Sequence, residues 1–414
     1  MDSKCLCGIL LTLGILCTQV TAGDWPQFLG PERNGLSTET GLLNDWPEGG
    51  PKIVWRVPGG VGMSGVSVSE DMAATLVQRE GRQWLLAVSA TTGRELWKTD
   101  LAEEYKNSMG DGPRGTPTIT SSQVFAFTGD GQIFAVDRKS GKVQWSHHVV
   151  KEQGAKEADY GMASSPLVVG GIVVVTPGAP TGSLVALDCT TGRTVWTAGE
   201  ETAGYSSPVV RTFAGKAQIV SSTGSSVLGI DPEDGQILWR LPFETNYECN
   251  IAVPLEVGGR LFVSAGEDHG SVLINLKADG DKFSLKPVWE SLGNRSVLRS
   301  EWQTAVLVDK FLYGMDNVGG AGPVTHLTCI DPETGKRQWQ VPRFGKGNLI
   351  AADGKLFMTT MKGELVIARA NPQEYTEIGR MTCIETTRQA PSLQNGLLYI
   401  RDDAEIVCID VRQK

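Results

Sequence analysis

Past its first seventeen residues the 414-residue chain has no long hydrophobic run, and it contains only 4 histidines and no C-x-x-C pair. Without a later stretch near the ~18–20 apolar residues that a bilayer demands, no downstream segment reads as a membrane-spanning helix. Of 8 cysteines, Cys5, Cys7 and Cys17 fall in the N-terminal run. The remaining Cys189, Cys249, Cys329, Cys383 and Cys408 are an odd, scattered set that specifies neither a disulfide framework nor a cysteine zinc site. His147, His148, His269 and His326 show no metal-ligand spacing, and adjacent strand residues such as His147 and His148 point to opposite faces. No metal site is expected. No G-x-S-x-G elbow is present. Positive charge is also short: 38 Lys and Arg against 47 Asp and Glu give a net −9, which argues against nucleic acid or anionic lipid as partner.

Turn chemistry is what the chain has in plenty. Glycine (50) and proline (20) make up 17% of residues, against a usual ~12%. That fits many short strands and few long helices. Hydrophobic residues at 40% supply a large core and exclude disorder. Tryptophan (11) outnumbers tyrosine (7), which hints at one repeated structural use.

The N-terminus sets the expected compartment. Lys4 precedes an apolar run, Cys5–Cys17, and small residues precede Gly23, so residues 1–22 read as a secretory signal cleaved after Ala22. Thirteen apolar residues are too few to span a bilayer. An uncleaved anchor is the competing reading, and lipid attachment at Cys17 is disfavoured by the bulky Leu16. An exported protein, periplasmic or extracellular and not membrane-spanning when mature, is expected.

The repeat is the main signal. Segments 85–97, 133–145, 184–196, 227–239 and 327–339 each place a Trp four residues after a turn glycine: Trp97, Trp145, Trp196, Trp239 and Trp339. Four carry an Asp four residues before it (Asp137, Asp188, Asp231, Asp331), with Ser89 the exception. Each reads as strand, Asx-type turn, strand. Ala87, Ala135, Ala186, Gly229 and Cys329 form a column of small residues, the mark of a face where sheets approach closely. Trp289 closes a looser copy with a longer turn, Lys277–Pro287, and residues 347–379 form a degenerate copy with Ile378 near the tryptophan place. Trp55 ends a strand with nothing before it, while residues 390–410 give three strands with nothing after. Successive tryptophans from Trp55 to Trp339 are 42 to 51 residues apart, the period of four-stranded propeller blades. An all-β, eight-bladed propeller of antiparallel blades is predicted, closed by Ile53–Arg56 pairing with Glu405–Ile409, with residues 23–50 leading in and 51–414 forming the ring. Cys329 and Cys408 occupy the small-residue position of non-neighbouring blades and should be unpaired thiols.

The pattern A-x-D-x-x-T-G-x-x-x-W, with the Ser-Ser-Pro strands at Ser164 and Ser206, resembles the pyrroloquinoline-quinone (PQQ) repeat. That repeat builds quinone-dependent alcohol dehydrogenases and the propeller scaffold of the bacterial barrel-assembly machinery. The segment Asp24–Ser37 resembles the entry segment of exported bacterial members. The resemblance implies that Trp55, Trp97, Trp145, Trp196, Trp239, Trp289 and Trp339 dock neighbouring blades. Dehydrogenases of this superfamily carry an adjacent Cys-Cys pair, calcium ligands and an Asp base. This chain has no Cys-Cys and no C-x-x-C-H haem site. Glu301-Trp302 with Asp316-Asn317 is the one cluster that would suit quinone and calcium; the plainer reading packs Trp302 on the inner strand and makes Asp316-Asn317 a turn. Gly60-Val-Gly62-Met-Ser-Gly65 matches G-x-G-x-x-G but precedes strand-like sequence rather than a helix. Asn294-Arg-Ser296 is a formal glycosylation sequon without meaning in a bacterial host.

In a propeller, the connection leading into each innermost strand opens on the central funnel. Those positions carry Arg114, Tyr160, Tyr205, Asn250, Trp302 and Arg388, with Glu301 adjoining, and aromatic and Arg residues at a concave mouth suit capture of a ligand or protein. A monomeric, non-catalytic binding or scaffold propeller of the cell envelope is expected, with no catalytic residue and no cofactor. The alternative is a PQQ- and Ca2+-dependent dehydrogenase of alcohols or sugars.

Overall fold

The computed structural model describes residues 23–413 except Asp281 and 321–323. The expected signal peptide, residues 1–22, lies outside the described residues. Apolar strands broken by glycine turns form eight four-stranded antiparallel sheets among the described residues. Blade 1 runs Ser67–Ser69, Met72–Arg79, Arg82–Ser89 and Glu95–Glu103, and six more follow in chain order to Thr382. Blade 8 takes Ser392–Gln394, Leu397–Arg401 and Glu405–Asp410 from the C-terminal stretch and its outermost strand from Lys52–Pro58. There Trp55 pairs with Cys408 and Lys52 with Asp410. The innermost strand of blade 1 lies beside those of blades 2 and 8, so the ring is closed. The chain is the eight-bladed propeller that the repeat predicts.

The repeated residues have distinct jobs. Asp137 and Asp188 accept hydrogen bonds from the backbone N–H groups of Ser140 (2.8 Å) and Thr191 (2.7 Å), which fixes each turn. Ser89 does the same with its hydroxyl, accepting from the N–H of Thr92 at 3.1 Å. The small column stands directly across from tryptophan: Ala87 opposite Trp97, Ala135 opposite Trp145, Cys329 opposite Trp339. A small residue there lets the indole reach the strand beyond, where Phe125, Tyr313 and Tyr399 meet Trp145, Trp339 and Trp55 at 5.9 Å between ring centres. Its partner is thus the tryptophan of its own sheet, not an approaching neighbour sheet.

The indole Nε1 groups of Trp55, Trp97, Trp145, Trp196, Trp289 and Trp339 donate at 2.7–3.1 Å to the carbonyls of Ala90, Arg138, Cys189, Pro232, Pro332 and Asn371, each in the following blade. Trp239 differs and donates to Gln218 of its own blade at 2.5 Å. In the blade after it Gly270–Asp279 and Lys282–Leu292 form one long hairpin, whose turn glycine, Gly280 (φ 59°), lies nine residues before Trp289 rather than four; most of the expected turn Lys277–Pro287 is therefore strand. In blade 7 the ring of Trp46, from the leading segment, lies against Gly379, with Ile378 half-buried beside it.

Hydroxyls link the innermost strands. The N–H of Gly65 donates to Thr116 Oγ1 (3.0 Å), that of Thr116 to Ser165 Oγ (3.0 Å), and that of Ser165 to Ser207 Oγ (2.9 Å). This is the work of the Ser-Ser-Pro segments. Gly60–Gly65 joins the closing strand to blade 1, and the element after it is the strand Ser67–Ser69. The five described cysteines, Cys329 and Cys408 among them, are free thiols.

The leading segment is more than a lead-in. Trp25 bridges Val68 of blade 1, Leu36 bridges Ala351 of blade 7, and Leu42 bridges Arg412 beside blade 8. Arg33, 1% exposed, donates to the carbonyls of Ser165 (3.1 Å), Pro166 and Pro208 (2.9 Å) and to Thr118 (3.2 Å), and so ties blades 2, 3 and 4. Arg211 of blade 4 returns the contact through the carbonyls of Glu32 (2.8 Å) and Arg33 (2.9 Å). The segment crosses the propeller axis and closes one end of the central channel.

Candidate functional site: the axial cavity

Closing one end leaves a blind cavity of about 720 Å³ on the axis. Its floor is Trp25, Phe28 and Leu29 of the plug, and its walls come from the connections into the innermost strands. Six of the seven residues expected at the mouth line it together: Arg114, Tyr160, Tyr205, Glu301, Trp302 and Arg388. Asn250 does not. It is 3% exposed, and its amide donates to the carbonyls of Thr223 (2.9 Å) and Phe243 (2.8 Å), so it braces the backbone behind the wall.

Arg114 faces the cavity but is not a free anchor. It is 7% exposed and donates to the carbonyls of Tyr160 (2.6 Å), Gly110 (2.7 Å) and Gly112. Burial holds its guanidinium pKa below the usual value, with Arg388 adding to the effect and Tyr105 opposing it. Tyr160 and Tyr205 pack with ring centres 5.7 Å apart, and burial pushes the Tyr205 phenol well up. The Cys249 thiol beside them is pushed up to about 12 by burial and by Glu267 and Glu301, so it stays protonated at neutral pH.

The other wall centres on Trp302. Lys346 Nζ lies 4.1 Å from its ring centre and the Arg388 guanidinium 5.1 Å. The same ammonium sits 3.1 and 3.0 Å from the two carboxylate oxygens of Glu301, whose Oε2 also accepts from the Asn317 amide. Asp316 and Asn317 are not a turn. They lie inside the strand Phe311–Val318, where Arg299 grips Asp316 at 2.7 and 3.0 Å. That buried pair straightens a dipeptide whose composition favours a bend.

Sequence reasoning missed Lys346, Met63, Met109 and Tyr247 in the lining, along with the whole floor. Lys346 obeys the same rule as the others, preceding the innermost strand Gly347–Ala352, but no tryptophan marks the register of blade 7. Tyr247 is 69% exposed at the rim and holds a left-handed φ of 59°.

Calcium does not suit the Glu301 cluster. An ammonium already occupies both Glu301 oxygens and Asp316 is committed to Arg299, so among the described residues of the cluster Asn317 Oδ1 alone is left open, too few oxygens for calcium.

Fold and cavity define an eight-bladed propeller of the PQQ-repeat type with a single-ended axial cavity. A family profile described as "Outer membrane protein assembly factor BamB" matches residues 47–176, 82–341 and 180–414, and the chain belongs to that family. The BamB of Yersinia pestis is 28% identical over 363 residues, covering 85% of this chain and 76% of its own. The quinohemoprotein alcohol dehydrogenase of Comamonas testosteroni is 24% identical over 260 residues, 58% of this chain but 34% of the enzyme. The chain thus spans about a third of that enzyme's length. Among solved structures, a europium-containing methanol dehydrogenase superposes with a TM-score of 0.67 at 13% identity, covering 94% of this chain and 89% of its own, a likeness of fold.

Proposed function

We propose that the chain is an exported, monomeric propeller of the bacterial cell envelope, working as a binding or scaffold module that holds a protein partner or ligand at the mouth of the axial cavity. Residues 1–22 act as the cleaved signal. The observation that carries the reading is the blind cavity itself, lined by aromatic and Arg side chains and rimmed by exposed Tyr247 and Met109. Membership of a family described as an assembly factor supports it. A photo-crosslinker placed at Tyr247 in cells tests it, with Val195 on an outer strand as the control. Envelope proteins should be captured from position 247; capture from 195 alone would move the working surface to the blade edges.

The second reading, a quinone-dependent dehydrogenase of alcohols or sugars, is favoured by Trp302 beside Glu301 and Asn317 and by the dehydrogenase relatives. The Lys346 ammonium on Glu301 opposes it. Adding quinone, calcium and a panel of alcohols with a redox dye decides: turnover would establish the enzyme.

A further inference from the structure

Resting on the reading of the axial cavity as a capture site, we infer the chemical class of ligand that it takes: a carboxylate on an apolar, ring-sized body, held by the protein's own cations rather than through a bound metal. Two guanidinium groups stand in the wall, and among the described residues neither is paired with a carboxylate. Arg114 is used up on three carbonyls and shapes the wall. Arg388 is placed differently. Its Nη1 donates to the carbonyl of Met109, which fixes the plane of the group beside Trp302. Its Nε and Nη2 have no hydrogen-bond partner among the described residues, in a side chain that lines the cavity. That edge is the fork on which a carboxylate seats with two parallel hydrogen bonds.

The surroundings select for the rest of the ligand. Glu301 does not compete for Arg388, because both its oxygens are held by Lys346. The ammonium also lies over Trp302 and adds positive potential to the same wall. Below lie Trp25, Phe28 and Met63, which reward an apolar body and offer a neutral polar one little. A small bare anion would keep its hydration instead. The carboxylate and the apolar body are both required.

Calorimetric titration of the mature chain with 2-naphthoate and its neutral isostere 2-naphthamide tests this, with and without calcium chelator. Naphthoate should bind about tenfold tighter or more, unaffected by chelator. Arg388→Gln should abolish the difference by weakening naphthoate alone, whereas Trp302→Ala should weaken both probes. Thermal melts of each variant establish that it folds. Equal affinities in the wild type, a difference that survives Arg388→Gln, or dependence on calcium would each overturn the assignment. Binding of neither probe would overturn it too, while the capture reading is judged separately by the crosslinks at Tyr247.

Discussion

The indole of Trp145 lies against Gly192 in the following blade and donates its Nε1–H to the carbonyl of Cys189 at 2.9 Å. Gly192 has φ 71°, and a Cβ there would come 2.8 Å from Trp145 Cδ2. One residue of the motif is therefore the socket for another, one blade along. Trp145→Ala should cost roughly 3–5 kcal/mol through the cavity it leaves. Gly192→Ala should cost ~1–2 kcal/mol from left-handed strain, with the clash adding to it. In the double variant the clash is gone, so its cost should be less than the sum. Denaturant melts of the four proteins measure this, and simple additivity would refute the socket.

Ring closure gives a second prediction. Lys52–Pro58 pairs along Glu405–Asp410, so deleting residues 390–414 leaves the outermost strand without its sheet and exposes an edge on each side. The whole ring should melt at a lower temperature, not blade 8 alone. An unchanged melting temperature would contradict closure.

How far the sequence disclosed this follows from what repeats. Tryptophan, glycine and aspartate recur at fixed offsets, so blade number and closure can be read from spacing alone. The plug cannot, because Asp24–Ser37 occurs once, and Arg33 finds every acceptor but Gln27 between 85 and 175 residues away. Positions at the mouth were legible, but side-chain direction was not. Asn250 turns inward because the carbonyls of Thr223 and Phe243 need a donor, and Arg114 because three carbonyls converge on it. Asp316-Asn317 has the composition of a bend, but Arg299, seventeen residues earlier, holds it in a strand.

The plug supplies a third prediction. Burial, with Arg211 nearby, depresses the Arg33 guanidinium to about 9, yet at neutral pH it remains charged and saturated by acceptors. Arg33→Met should strand several buried carbonyls and cost ~2–4 kcal/mol. Calorimetry should show one cooperative transition at a lower temperature. A stability equal to wild type would mean that the plug is only loosely seated.

Histidine titration gives a fourth. His326 Nδ1 accepts the N–H of Arg343 at 2.9 Å, which only the neutral ring can do, and burial holds its pKa below 6.5. Burial does the same to His269. As pH falls through 6.5 the unfolded chain takes up these protons first, so stability should fall below that point and stay level above it. The drop in melting temperature between about pH 7.5 and about pH 5.5 should shrink in His269→Gln/His326→Gln. An unchanged slope would assign it to other groups.

The cavity wall separates bracing from capture, and the last prediction turns on that separation. Arg114 and Trp302 both line the cavity, yet only Arg114 holds the wall together, through the carbonyls of Gly110, Gly112 and Tyr160. Arg114→Ala should cost ~2–4 kcal/mol, because three acceptors lose one donor. Arg114→Lys should recover little, since one ammonium cannot span all three. Trp302 is half-buried, with cations rather than core against its ring, so Trp302→Ala should melt within ~1 kcal/mol of wild type. It should nonetheless weaken capture at the mouth by ~1–4 kcal/mol, as loss of an aromatic anchor does. Melts alongside crosslinking from Tyr247 read the two effects independently. A Trp302→Ala protein that melts and crosslinks like wild type would remove Trp302 from the site, and an Arg114→Ala protein of unaltered stability would return Arg114 to it as a contact residue.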